Sequence, residues 1–378
     1  MQKYLVHEEP AAAAATHALV IGVGAYPHLM GGTGPLSPDN DGMRQLTSPP
    51  VSAREFATLL ASRFHHPGRP LASVALLLSE AQPAAFVHPR SQKAIQVEGA
   101  NYDNAAEAIQ AWKMRGATNP DNLLIFYFCG HGMSQGSDMS LLFSDYGSTP
   151  APLDHALDFR KFRLAMSRNL PAKQIYFVDA CRASSDTLIE SFAYAGRLPI
   201  QGGGMKPAEA PVFYATIAGE QAFGKPNEPS IFATALMSGL KGAGADDSEG
   251  DWRVTTTRLK EAIDYYVGQS FKSGAKIAQV PPTDELTTFE ILRVPDQPEV
   301  PVMITCDPET LNLEAELICE SAGVVRSRRA PNAEQWALPL PAGSYRFRAE
   351  FAGGGRAAIQ KDAWVRPVYK KVPLEEQR

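Results

Sequence analysis

The chain has 378 residues, 44% of them hydrophobic and 20% charged, enough apolar material for one sizeable domain plus a smaller one, which excludes a disordered polymer. Lys and Arg number 36 against 41 Asp and Glu, a formal net charge of −5, so no basic excess exists to neutralise a phosphate backbone and nucleic acid is not an expected partner. Four cysteines, at 129, 181, 306 and 319, are too few to staple a chain of this size. No run of about 18 apolar residues is present to span a bilayer, so a reducing, cytoplasmic setting without membrane contact is expected.

Residues 1–16 carry an Ala-rich stretch but no basic leader, and read as a short flexible lead. From there the predicted elements are a strand at HALVIGV (17–23), a Gly- and Pro-rich loop at 24–50, a helix at 52–64, a strand at SVALLLS (73–79) and a helix at 103–115. A strand at NLLIFYF (122–128) follows, then a loop at 132–157, a helix at 158–169, a strand at KQIYFVD (173–179) and a loop at 182–210. The domain closes with a strand at PVFYATI (211–217), a helix at 231–241, a loop at 242–252, a helix at 256–269 and a strand at TTFEILR (287–293). Continuously apolar strands alternating with amphipathic helices predict an α/β fold with a mostly parallel sheet flanked by helices. Three of the long loops follow a strand directly and gather at the carboxyl edge, where such sheets place their sites.

At VPDQPEVP (294–301) the texture changes to a Pro-rich linker, and from 302 to 378 alternating stretches such as LNLEAELICE and SYRFRAEF predict a small all-β sandwich domain. Its LPAGSYRFRAEF resembles the strand-turn-strand of immunoglobulin-like or PEGA-type modules. From Glu299 to Arg378 there are 11 basic and 11 acidic residues, so this module is neutral and the net charge lies ahead of it, mostly in the first domain, 17–293. Cys306 and Cys319 are expected to pack inside it unbridged.

Two segments carry chemistry. LLIFYFCGHGM ends a buried strand in Gly130-His131-Gly132, and 50 residues later IYFVD ends another in Ala180-Cys181-Arg182. Alone, a His between glycines is usually a turn residue and a Cys at a strand end usually core. On two neighbouring strand ends the pair is a thiol nucleophile and its base. Cys129, two residues before His131, alternates inward and is expected to be inert. The acidic GADDSEGDW (244–252) lacks the spaced oxygen register of a calcium loop and reads as a solvated hairpin tip. The run Gly202-Gly203-Gly204 neither follows a strand nor opens a helix, so it is linker rather than phosphate cradle. No zinc-like Cys/His cluster is present, and no metal or other cofactor is expected.

These segments, with ALVIGVGAY as first strand, LTSPPVSAREFATLL as first helix and FATALMSGLKG further on, resemble the caspase-like cysteine peptidases, the group of caspases, metacaspases and bacterial relatives. The sequence Asp179-Ala180-Cys181-Arg182, with Asp where the caspase signature has Gln, is similar to the metacaspase and bacterial form. The resemblance implies an endopeptidase using His131 and Cys181 through an acyl-enzyme, with an oxyanion hole from the backbone N–H groups of Gly132 and Cys181. It implies that Asp179 faces the substrate pocket, favouring Arg or Lys before the scissile bond, and that Phe223 forms an apolar wall. The family's second pocket acid aligns with Ser52, so Asp39 or Asp41 is a candidate for the missing charge. Relatives are commonly cut after the nucleophile, which makes Arg197 and Lys206 candidate processing sites; Arg326, Arg328 and Arg329, read as lying between two strands, are a second.

Partners are therefore protein or peptide substrates, with a regulatory protein conceivable through the C-terminal β domain. Bacterial members of the class act in stress, cell-death and defence pathways. The competing functions are a catalytically silent caspase-like adaptor acting through protein binding, and a nucleotide-binding doubly wound protein. The adaptor is disfavoured by the retention of His131 and Cys181. The nucleotide reading is disfavoured because GVGAYPHLMGG lacks the G-x-G-x-x-G order and leads into a loop.

Overall fold

The computed structural model describes residues 3–135, 138–151, 153–168, 170–180, 209–215, 225–248, 250–272, 282–352 and 356–375. The chain forms two compact units, Met1–Met237 with Tyr266–Phe289, and Ser238–Tyr265 with Glu290–Arg378.

The first unit opens with strands β1 (Leu5–Glu8) and β2 (Thr16–Val23), helix α1 (Ser48–Arg63), β3 (Leu71–Ser79), a two-residue hairpin of β4 (Phe86–Val87) and β5 (Ala94–Ile95), and α2 (Tyr102–Gly116). Next come β6 (Leu123–Gly130), the short strands β7 (Gly132–Gln135), β8 (Asp138–Leu142) and β9 (Ala156–Asp158), α3 (Phe159–Met166), β10 (Lys173–Ala180), β11 (Val212–Tyr214) and α4 (Ile231–Ser238). The chain then makes β12 (Ala245–Asp246) and β13 (Arg253–Thr255), runs through α5 (Thr256–Lys272), and contributes β14 (Thr283–Asp284) to the first unit.

Seven strands form the main sheet in the order β1-β3-β2-β6-β10-β11-β14. The five central strands are parallel and the two edges antiparallel. Every residue of β2 and β6 is buried, as strands covered on both faces require. The two-residue period of the pleat assigns the helices to faces: Phe126 packs on Trp112 of α2 and Phe162 of α3, while its neighbour Tyr127 packs on Phe56 of α1. Local chemistry sets the helix starts. Pro occupies the first turn of α1, where a missing N–H costs nothing, and Asn101 and Asp158 cap α2 and α3 by accepting from Asn104 and Lys161 N–H. The approach of α1 to β2 depends on Gly22, where a Cβ would sit 2.7 Å from both Ala53 Cβ and the Pro49 carbonyl oxygen.

Several expectations change. Residues 5–8, read as part of a flexible lead, form β1 on the free edge of β3, with Leu5, Val6 and His7 buried. The stretch 287–293 yields β15 (Glu290–Arg293), which pairs with β13 in a separate sheet of the second unit; β14 takes the edge of the main sheet. Both exchanges concern runs of four residues or fewer, too short for a period to mark. The loop 132–157 holds the small antiparallel sheet β7-β8-β9.

The second unit completes itself with β16 (Glu299–Asp307), β17 (Ala315–Ser321), β18 (Val324–Arg329), β19 (Trp336–Pro341), β20 (Gly343–Phe351), β21 (Ile359–Val365) and β22 (Lys370–Glu375). The sheets β19-β16-β22 and β18-β17-β20-β21 share one core that includes Val302, Ile304, Leu317, Phe347, Val365 and Leu374, which is the β sandwich. Cys306 and Cys319 are buried and free. Arg326, Arg328 and Arg329 lie within β18 and not between strands; Arg328 and Arg329 stand opposite Ile318 and Leu317 of β17. In the acidic stretch 244–252, Ala245 and Asp246 form β12, which pairs antiparallel with β13 just beyond the stretch. No described helix is long and apolar enough to cross a membrane.

Candidate active site

The parallel ladder between β6 and β10 runs in register to the carboxyl edge, with Asp179 opposite Cys129 and Ala180 opposite Gly130. Adjacent strands lie about 4.8 Å apart. The two strands end at the same level, β6 leading into His131 and β10 closing at Ala180. Cys181 itself lies outside the described residues.

His131 is 9% exposed and both ends of it are held. Its main-chain N–H donates to the Tyr26 hydroxyl at 2.8 Å, and its Nε2 lies 2.7 Å from the Arg44 carbonyl oxygen. A carbonyl can only accept, so Nε2 carries the proton and, in the neutral ring, Nδ1 carries the lone pair. Burial pushes the imidazole below its ordinary value, opposed by the Arg44 carbonyl, so the ring is neutral at pH 7. Gly130 is required by the same packing: a Cβ there would lie 2.9 Å from the Tyr26 hydroxyl oxygen.

Beneath the strand ends lies a buried polar cluster. Oδ2 of Asp179 accepts from Tyr127 Oη at 3.0 Å, Cys129 Sγ at 3.2 Å and Ser230 Oγ at 2.5 Å, and the residue is 2% exposed. Burial raises the Asp179 carboxyl above the ordinary carboxylate range, while the three donors favour the charged form. Burial and then the Asp179 charge push the Cys129 thiol well above its usual value, so it is a protonated donor and no nucleophile. Ser230 also accepts from Ala233 N–H at 2.9 Å, as the N-terminal cap of α4, and donates its own main-chain N–H to Ser52 Oγ at 3.0 Å.

Ser52 and Asp179, singled out separately in the sequence, are thus joined through Ser230. Asp39 and Asp41, in the connection between β2 and α1, lie near Tyr146, whose hydroxyl donates to the Asp39 carbonyl at 3.1 Å. Gly132 is buried at the start of β7, directly after His131, opposite Leu141. Phe223, Arg197 and Lys206 lie outside the described residues. Sequence reasoning missed Tyr127, Ser230 and the Arg44 carbonyl. Ser230 had a local signal, a Ser immediately before the helical run IFATALM; a backbone carbonyl has none. Among the described residues no group of three or more His, Cys, Asp or Glu is arranged to hold a metal ion.

The chain is similar to uncharacterized protein y4kE of Sinorhizobium fredii (strain NBRC 101917 / NGR234), 26% identical over 301 residues that cover 76% of this chain and 82% of that protein. Among solved structures it is similar to that of caspase-1 from Spodoptera frugiperda, at 16% identity and a TM-score of 0.43, covering 71% of this chain and 86% of that one. Residues 15–288, well over half of the chain, match the caspase domain of the peptidase C14 family, and the chain belongs to that family.

Proposed function

We propose that the protein is a cysteine endopeptidase in which Cys181 is the nucleophile and His131 its base. The observation that carries this reading is the bond from His131 Nε2 to the Arg44 carbonyl, which leaves Nδ1 as the basic nitrogen at a strand end level with the one that leads to Cys181. In the proposed reaction Nδ1 takes the thiol proton as Sγ attacks the peptide carbonyl carbon. The backbone N–H groups of Gly132 and Cys181 receive the developing oxyanion. The imidazolium then protonates the leaving amine as the C–N bond breaks, giving a thioester; water, deprotonated by Nδ1, attacks the thioester and releases the acid and the thiol.

For the residue before the scissile bond we propose Arg or Lys. Asp179 stands two residues before Cys181, and the hydroxyl and thiol donors on its Oδ2 support a carboxylate there against the burial that opposes it. A cationic side chain is attracted to that charge and an Asp side chain is repelled.

The experiment is labelling of the full chain by electrophilic peptides, followed by turnover of fluorogenic peptides ending in Arg, Lys, Asp or Leu. Labelling at Cys181, lost in Cys181→Ala, together with a fall in turnover of about 100-fold or more in His131→Ala, is the expected result. Turnover by Cys181→Ala above background would assign the activity to another nucleophile, and neither labelling nor turnover in the wild type would leave the silent-adaptor reading. Efficient cleavage after Asp, or an unchanged Arg preference in Asp179→Asn, would remove the pocket assignment while leaving the Cys-His pair. Mass spectrometry of wild type beside Cys181→Ala checks for self-cleavage at Arg197 or Lys206.

A further inference from the structure

General-base chemistry at Nδ1 requires that Nε2 keep its proton, so the Arg44 carbonyl must stay in place through each turnover. Arg44 sits in the connection between β2 and α1, outside any long strand or helix, and its side chain is exposed. Its neighbour supplies the fixing. The Gln45 side-chain amide accepts the Tyr26 N–H at Oε1, 2.7 Å, and donates through Nε2 to the Tyr26 carbonyl at 2.9 Å and the Met30 carbonyl at 3.2 Å. It pairs with Tyr26 in both directions, as a strand would. Main-chain bonds close the same seam on either side, from Leu46 N–H to the Gly24 carbonyl at 2.9 Å and from Met30 N–H to the Met43 carbonyl at 3.1 Å.

Tyr26, fully buried, carries the connection back to the imidazole. Its hydroxyl accepts the His131 N–H at 2.8 Å and donates to the Leu142 carbonyl at 3.2 Å, and its ring lies 4.9 Å from the imidazole, centroid to centroid. The path closes on itself. His131 Nε2 bonds Arg44, Arg44 is covalently joined to Gln45, Gln45 grips Tyr26, and Tyr26 holds the His131 backbone. We propose that Gln45 and Tyr26 are positioning residues that lock His131 in its Nε2–H tautomer and so determine that Nδ1 is the base. The proposal rests on His131 being the base of the proposed reaction. Glutamine suits position 45 because the clamp needs an acceptor and a donor on one planar group; Leu offers neither, and an ionised Glu loses the donor.

The test uses the full chain as wild type, Gln45→Leu and Tyr26→Phe, with histidines labelled in 15N and the His131 signal assigned by its loss in His131→Ala. Neutral His131 is expected as the Nε2–H tautomer in wild type and as a mixture with Nδ1–H in Gln45→Leu. The kcat for the best peptide is expected to fall about tenfold with KM within about twofold, and less in Tyr26→Phe, because orientation of the base is lost while substrate contacts remain. An unchanged tautomer and unchanged kcat in both variants would overturn the clamp, as would loss of thermal stability alone with the tautomer retained. If Gln45→Leu does not fold, Tyr26→Phe decides, since it removes a single oxygen. Failure of the peptidase reading is seen separately, as turnover that survives in Cys181→Ala or His131→Ala; the tautomer needs no substrate and still tests the clamp.

Discussion

Polar groups are used in opposite ways in two parts of this chain. Under the carboxyl ends of β6 and β10, one Asp179 oxygen gathers three donors inside the core. On the outer face of the four-stranded sandwich sheet, charges pair across strands in the open, Arg346 with Asp362 at 2.7 Å and Arg328 with Glu316 at 3.3 Å, and the interior is left to residues such as Leu317 and Phe347. Burial decides what each pair contributes. A desolvated acceptor cannot be replaced by water when it is removed, whereas exposed partners exchange one another for solvent with little change in free energy. Stability in the sandwich therefore resides in apolar packing, and near the strand ends a polar network shares that task.

The sharpest contrast lies in what truncation costs in each place. Phe347→Ala should destabilise the sandwich by about 4 kcal/mol, the sum of lost transfer energy and the cavity left behind, read from denaturant unfolding. A loss below about 1 kcal/mol would mean that apolar packing does not dominate there.

Acid should single out the first unit. Burial, and secondarily Arg115, lower the His17 pKa from 6.5 to about 4, and burial also lowers His7, His88 and His131. A depressed folded value means that the unfolded chain binds the proton first. The associated stability is present above pH 6.5 and is lost as pH falls toward about 4, amounting to about 3 kcal/mol for His17. His17→Gln should flatten the stability profile over that window; an unchanged slope would show that His17 does not carry it.

Removing the buried acceptor comes next. Asp179→Ala leaves the Tyr127, Cys129 and Ser230 donors without it and should cost about 2–3 kcal/mol, while Asp179→Asn, which retains an oxygen, should cost less than half of that. Equal losses in the two variants would show that charge rather than hydrogen bonding holds the cluster. The smallest effect is expected on the outer face: a double-mutant cycle on Arg328 and Glu316 should return about 0.5 kcal/mol or less, fading further in salt. A coupling as large as the Asp179 effect would erase the distinction between the two regions.

How far the sequence reached can be judged residue by residue. The central strands are legible because β2, β3, β6 and β10 each carry an unbroken apolar run at their centre, the mark of burial on both faces. His131 and Asp179 were visible as chemistry-bearing residues at strand ends because the Gly and Ala beside them break those runs. The short pieces were not: β1, β14 and the β7-β8-β9 sheet have too few residues for a period, and their pairing depends on which edges the larger elements leave open.

The same division holds at the candidate site. Side-chain type and strand order along the chain are local information, so the α/β fold, the sandwich that follows it and the segments ending in His131 and Cys181 follow from the sequence by itself. Which nitrogen of His131 keeps its proton, and which donors surround Asp179, depend on atoms 87, 52 and 51 residues away along the chain, the Arg44 carbonyl, the Tyr127 hydroxyl and the Ser230 hydroxyl. Hydrogen bonds act over about 3 Å, and only the packing of the β2–α1 connection, β6, β10 and the start of α4 brings those groups within that range.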